Sequence, residues 1–442
     1  MANIVLVTLG SDGDIRPFVR LGRALKARGH SACLLTHADY AELAAQNGLD
    51  FVALDTHAEY EQFIAEAPSF NSPTGLLAGY QKYFLPKLLA THQLIETGAH
   101  ADETVLVAHH NMRLAAQLSA EKLGRPLVIA FAWPSQITNL SLLAEFFQTQ
   151  ISPELNRLRG ELGLAPVKDW AAWLLQSPVL NLALWPDWFA SAGPGWPPEL
   201  IRTGFLVDAA SAPLPPEVEA FLEGTPPPVL ITGGTGNFVS SDFYTASAEG
   251  VRRVGRRGIL VACYPDYVPA NLPGEILRIN YLPYGTALPR MGAIIHHGGI
   301  GTCAQALAAG IPQLILGVGA DRPDNAFRLQ HLGVAEFLPP PRWQPASVAE
   351  ALQRLLSQAE VRERCQALAE RIRTVDSAPA ACEAIEKFIR EGAARPAGDI
   401  SAERSTTLPA AGPAVDSELR QRLDQFSPEK LELLARWTET KA

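Results

Sequence analysis

Cysteine is scarce in this chain: Cys33, Cys263, Cys303, Cys365 and Cys382 are five in 442 residues, odd in number and scattered. That usage argues against a disulfide framework, and the absence of metal-ligand spacing argues against a structural zinc site. Scattered thiols suit a reducing compartment, so the expected location is the cytoplasm. No apolar run reaches the roughly 18 residues of a membrane span. The opening MANIVLVTLG lacks the basic flank and long apolar centre of a secretory signal. Positive charge is also short, with 37 Lys and Arg against 46 Asp and Glu and a net charge of -9. Nucleic acid and anionic membrane surfaces need a positive face, so neither is expected as the main partner. The basic cluster Arg252, Arg253, Arg256 and Arg257 reads as a solvated helix face.

What is present is a large apolar fraction, 47% of residues, in a chain long enough for two domains with separate cores. NIVLVTLG reads as a buried parallel strand ended by the polar turn SDGD. A helix through PFVRLGRALKARGH follows, with Pro17 marking its start and Gly29 its stop. SACLLTH completes a strand–helix–strand unit, the building block of a doubly wound sheet. TVLVAHH, RLAAQLSAEKLG and PLVIAFA repeat the unit. Prolines crowd residues 212–228, which reads as an interdomain linker between residues 1–211 and 229–392. The second half then restarts with PVLITGGTG, GILVAC, AIIHHGG and PQLILGV. Residues 393–416, rich in Ala, Pro, Gly and Ser, read as a flexible linker. In residues 417–442, SPEKLELLARW has a serine cap, Pro428 at the first helical position, and Leu431, Leu434 and Trp437 on one side.

The most informative stretch is IIHHGGIGTCAQALAAGIP, residues 294–312. A glycine turn between a strand and a helix lets backbone N–H groups converge on an anion, and the helix N-terminus adds partial positive charge. Gly298, Gly299 and Gly301 permit that approach, Thr302 can cap the helix or donate to a phosphate oxygen, and His297 can donate to the same group. A tight strand–helix turn with capping residues accounts for the same composition. Asp14, in GSDGDIRP, lies at a strand end, where ligands of such sheets bind. It reads either as a helix cap or as a group that accepts a proton from a hydroxyl.

The order HHGGIGTCAQALAAGIPQLILGVGADRPDNAFRLQHLGV resembles the donor-site signature of nucleotide-sugar glycosyltransferases with two facing Rossmann-like domains, the GT-B fold. It is most similar to the bacterial subgroup that contains vancomycin-type, sterol and rhamnolipid sugar transferases. TLGSDGDIRPFVRLGRALKARGHSACLLTH, AEKLGRPLVIAFAWPS and FLEGTPPPVLITGGTG fall in the family's order, so the resemblance covers about residues 3 to 390. The fold it implies is α/β, two facing Rossmann-like domains, here with a flexible linker and a short C-terminal helix added.

The resemblance implies that His297 and Thr302, with the backbone around Gly299 and Gly301, contact a donor diphosphate. Thr235 and Gly236 line the same phosphates, and Asp321 holds sugar hydroxyls. Arg322 stands where relatives usually carry Gln, a cation replacing a neutral amide beside the sugar. Gln305 stands where some relatives place a ribose-binding Glu. The resemblance makes Asp14 the general base and leaves Asp12 as a turn residue. The implied reaction is inverting transfer of a hexose or deoxyhexose from a UDP- or dTDP-sugar, with no cofactor and no metal; the second half has no Asp-x-Asp pair. The acceptor side is expected to involve Trp133 and His109, the latter paired with His110 after a strand. Six of the eight tryptophans fall between Trp133 and Trp196, a concentration read as an apolar acceptor pocket for a lipid or secondary metabolite, with core packing as the competing reading. Nucleotide-sugar 2-epimerases share the architecture but need no acceptor pocket, and a non-catalytic helper of a transferase is a third class. SPEKLELLARW is similar to short helices that open modules of peptide-synthetase assembly lines, which implies a protein partner for the tail, with docking back on the body and a chance likeness as the competing readings.

Overall fold

The computed structural model describes residues 1–392 except 72, 100–102, 176–178, 194–195, 198, 208–211, 237 and 264. The expected linker over 393–416 and the tail helix over 417–442 lie outside the described residues.

Two all-parallel sheets form the frame. The first has the order β3-β2-β1-β4-β5-β6-β7 and the second β10-β9-β8-β11-β12-β13. The first sheet comprises β1 (Asn3–Val7), β2 (Ser31–Thr36), β3 (Asp50–Ala53), β4 (Thr104–His109), β5 (Leu127–Phe131), β6 (Val179–Ala183) and β7 (Leu200–Arg202). The second comprises β8 (Val229–Thr232), β9 (Gly258–Val261), β10 (Ile276–Ile279), β11 (Ala293–His296), β12 (Gln313–Ile315) and β13 (Ala335–Phe337). Helices cover both faces, so β4, β5, β8, β9 and β11 are buried at every position, and Ile4, Val5, Leu6 and Val7 of β1 are all fully buried. Val5 of β1 stands opposite Cys33 of β2 and Leu106 of β4. The strand direction of winding reverses between β1 and β4, and again between β8 and β11. Loops diverge at such points and leave a crevice beyond the strand ends.

Three boundaries differ from the sequence reading. The first helix spans Asp12–Ala27, so SDGD is its opening turn rather than a separate one, and Pro17 lies inside it. The cause is a capping box: the backbone N–H and the hydroxyl of Ser11 both donate to Asp14 Oδ2, at 2.8 and 3.2 Å. Second, residues 212–228 contain the helix Pro216–Leu222, and Leu214 and Val218 join the second-domain core with Leu230 and Ile259. Third, the last described helix, Ser377–Gly392, packs on the first domain instead of the second. Its Ala381, Cys382 and Ile385 are fully buried with Ile4, Leu6 and Phe18. Arg28 closes this contact with a two-pronged hydrogen bond to Glu386, 2.7 Å on each arm. Among the described residues no helix is long and apolar enough to cross a membrane.

Candidate active site

The four strands at the two reversal points end around one cavity of about 890 Å³ that both domains line. Asp14, Trp133, Thr235, Gly236, His297, Gly299, Gly301, Thr302, Gln305, Asp321 and Arg322 all face it. The domains meet at its floor, where the Asp12 N–H donates to Thr235 Oγ1 at 3.3 Å.

On the first-domain wall, Asp14 is both cap and cavity residue. Oδ2 accepts the two Ser11 bonds, while Oδ1 receives the Asn111 side-chain N–H at 3.5 Å and lies 3.8 Å from His109 Nε2. Burial raises the carboxyl from 3.8 to about 7; Asp321 across the cavity adds to the rise, and the Ser11 hydrogen bonds and Arg322 oppose it. A carboxyl poised there can exchange a proton at neutral pH. Asn111 is aimed by Gln136. The Ala132 N–H donates to Gln136 Oε1 at 2.8 Å, which turns Gln136 Nε2 toward His109 Nε2 at 3.2 Å and Asn111 Oδ1 at 3.3 Å. With its Oδ1 engaged, Asn111 presents its N–H groups to Asp14.

His109 does not reach the cavity, contrary to its expected place on the acceptor side. It is fully buried behind Asp14, edge-on to Phe18 and Trp133, and burial lowers it to about 3. A neutral imidazole there supports its neighbours. His110 lines the cavity instead, its ring stacked on Phe131 at 4.9 Å. Asp12 accepts from Tyr40 at 2.9 Å and Arg16 at 2.6 Å, so it anchors the helix start. A buried His37–Asp55 pair, 2.5 Å apart, looks like catalytic machinery, but His37 Nε2 is taken by the Gly10 N–H at 3.0 Å. Its work is to hold the Gly10 loop, where a Cβ would collide with the Asp14 carboxylate.

On the second-domain wall the adjacent imidazoles divide two tasks. His296 is fully buried, accepts the Gly298 N–H on Nδ1 at 3.1 Å and meets Gln313 Oε1 with Nε2 at 3.0 Å, so it braces the turn. His297 faces the cavity. Burial first, then Arg322 and His296, hold it well below its ordinary value, so it is neutral and carries one N–H. Gly234 and Gly299 clasp its ring, and a Cβ at either position would strike it. The helix Ile300–Ala309 begins directly after, capped by Gly299. Asp321 Oδ2 takes the Ile300 N–H at 3.2 Å and the Asn325 amide at 2.6 Å. The Gly301 and Thr302 amides, first-turn positions with no acceptor inside the helix, open on the cavity beside the Thr302 hydroxyl. Neutral donors at a helix N-terminus suit an anion such as a phosphate. Among the described residues no group of three His, Cys, Asp or Glu side chains could hold a metal ion.

The remaining wall is apolar and belongs to the first domain: Phe63, Phe70, Leu76, Leu143 and Phe146 surround a chamber with Trp133. The tryptophan concentration resolves mostly into the competing reading, core packing. Trp170, Trp173 and Trp185 are core residues, at most 3% exposed, and of the described tryptophans only Trp133 is among the cavity residues.

With this geometry in place, two family models match: the glycosyltransferase family 28 N-terminal domain over residues 4–140, and the C-terminal domain of erythromycin biosynthesis protein CIII-like proteins over 265–390. The chain is 28% identical over 426 residues to an O-mycaminosyltylonolide 6-deoxyallosyltransferase of Streptomyces fradiae, covering 87% of this chain and 97% of that one. It is 29% identical over 422 residues to a vancomycin aglycone glucosyltransferase of Amycolatopsis orientalis, covering 88% and 98%. A sterol 3-beta-glucosyltransferase of Candida albicans is 28% identical over 75% of this chain and 24% of its own length. Among solved structures, the glycosyltransferase VinC in complex with dTDP superposes with a TM-score of 0.66 at 19% identity, covering 88% and 100% of the two chains. The spinosyn forosaminyltransferase SpnP gives 0.67 at 20% identity over 88% and 99%.

Proposed function

The chain belongs to the two-domain GT-B glycosyltransferases, and from that premise we propose an inverting, metal-independent transfer of a hexose or deoxyhexose from a UDP- or dTDP-sugar to a hydroxyl of an apolar secondary-metabolite or lipid acceptor. The observation that carries this reading is one cavity with a carboxylate near neutrality on one wall and a neutral anion cradle on the other.

In the proposed step, Asp14 Oδ1 takes the acceptor's hydroxyl proton as that oxygen bonds to the anomeric carbon. The bond from that carbon to the diphosphate oxygen breaks on the opposite face, and its electron pair leaves with the nucleoside diphosphate. Charge therefore builds where His297, the Thr302 hydroxyl and the Gly301 and Thr302 amides are already aimed. Asp321, one oxygen fixed by Ile300 and Asn325, is assigned to the sugar hydroxyls. The apolar chamber holds the acceptor with its hydroxyl toward Asp14. A nucleotide-sugar epimerase has no use for that chamber, which favours transfer over epimerisation.

A thermal-shift panel tests the reading. UDP- or dTDP-sugars at 100 times their dissociation constant stabilise the folded state by about 2.7 kcal/mol, a rise of several degrees in melting temperature. The rise should persist in excess chelator. No shift with any uridine or thymidine nucleotide sugar would remove the donor assignment, and a shift abolished by chelator would remove metal independence.

A further inference from the structure

Arg322 opens the helix Arg322–His331 and is 5% exposed, yet it forms no ion pair among the described residues. Its Nη1 donates to the carbonyls of Val318 at 3.1 Å and Gly319 at 3.3 Å, and its Nε is enclosed with no partner. The guanidinium carbon sits 3.6 Å above the centre of the Phe238 ring. Asp321 and Asp14 favour its charge through space, and neither forms an ion pair with it. The position of the head group says where a directly bonded anion fits. Phe238 packs against Gly236 in the turn after β8, and the Arg322 Cβ packs against Gly298 in the turn after β11. The guanidinium thus lies between the two glycine turns assigned above to the diphosphate, held flat by the aromatic face.

Resting on the proposed function, we infer that Arg322 is a catalytic residue that pairs with the leaving diphosphate, rather than a contact to the transferred sugar as the matching Gln of relatives implies. When the glycosidic bond breaks, the diphosphate keeps the electron pair and gains one negative charge. The guanidinium lines the same cavity as His297 and Thr302 and meets that charge with the N–H groups that the Val318 and Gly319 carbonyls leave open. A planar fork matches a phosphate with two parallel hydrogen bonds, which neither an amide nor an ammonium reproduces.

The test compares wild type, Arg322→Gln and Arg322→Lys by calorimetric titration with UDP, dTDP, their monophosphates and the intact nucleotide sugars, together with steady-state kinetics. Arg322→Gln should weaken the diphosphates by about 10- to 30-fold and leave the monophosphates unchanged. Its kcat should fall by about 100-fold, more than KM rises, and Arg322→Lys should recover part of both. Near-native melting temperature in Arg322→Lys keeps the comparison valid if the Gln variant folds poorly. Diphosphate affinity within twofold of wild type in both variants, or a loss confined to the intact nucleotide sugars, would overturn the inference. Wild type that binds neither diphosphate would overturn both it and the reading it rests on.

Discussion

Asp14→Asn should bind the donor as wild type does and lose 100- to 10,000-fold in kcat, the range expected for removing a general base. The substitution separates the two tasks of this residue. An Asn side-chain oxygen still accepts the Ser11 N–H, so the helix cap survives, while no group remains on Oδ1 to take a proton. In wild type, kcat/KM should rise with pH through about 7, where Asp14 loses its proton, and the variant should lack that limb. Folding stability should move the other way. A carboxyl held at about 7 in the folded chain and 3.8 in the unfolded one binds its proton more tightly when folded. Its contribution is therefore fully present below pH 4 and is lost as pH rises through 7, about 4 kcal/mol in all at 1.36 per pH unit. Urea unfolding at pH 5 and pH 8 should show Asp14→Asn gaining on wild type at the higher pH. Turnover within tenfold of wild type would dismiss Asp14 as the base.

His297→Ala should lower kcat by about 100- to 1,000-fold, as removal of one preorganised donor to a developing oxyanion does. Gly234→Ala and Gly299→Ala should reproduce much of that loss with the imidazole still present. At either position a Cβ drives into the His297 ring, and Gly234 also has a φ of +74°, a conformation that strains any side chain. Displacement of the ring by a neighbour is a sharper test than its deletion, because the chemistry is kept and only its aim is changed. Activity per folded molecule that stays at the wild-type level in all three variants would show that the ring merely fills space.

Much of the frame could be read from the sequence because the central strands are buried on both faces. Runs such as IVLV and VLIT have no alternative as half-exposed strands. Of the strands that escaped reading, β3, β7, β10 and β13 are the four sheet edges, and β6, with Asn181 in its middle, is the interior one. DFVA of β3 has both ends exposed, and LIR and AEF of β7 and β13 are three residues each, too short for any periodicity. The helix start was misplaced because Pro17 is the louder signal, whereas the cap depends on an Asp at the third position folding back on Ser11. The crossing of the last helix to the first domain was illegible for a different reason. An amphipathic pattern announces an apolar face and says nothing about which core covers it.

The cavity residues show the same division. Those borne on strand-end turns, Asp14, His297 and Thr302, could be placed from local sequence alone. Asn111 and Gln136 could not, because their task exists only through partners 97 and 25 residues away. His37 and Asp55 were equally hidden, and even their geometry misleads until the Gly10 N–H is found on the free nitrogen. The pair HH in the second half resolves only in three dimensions: one ring braces the turn and its neighbour faces the ligand space.

The configuration at the anomeric carbon, compared between donor and product by nuclear magnetic resonance, is the most direct test of a base and an anion cradle on opposite walls of one cleft. A single displacement across that cleft predicts complete inversion. Retained configuration would require a covalent or front-face route that these two walls do not provide, and would contradict the assignment of Asp14 and His297 together.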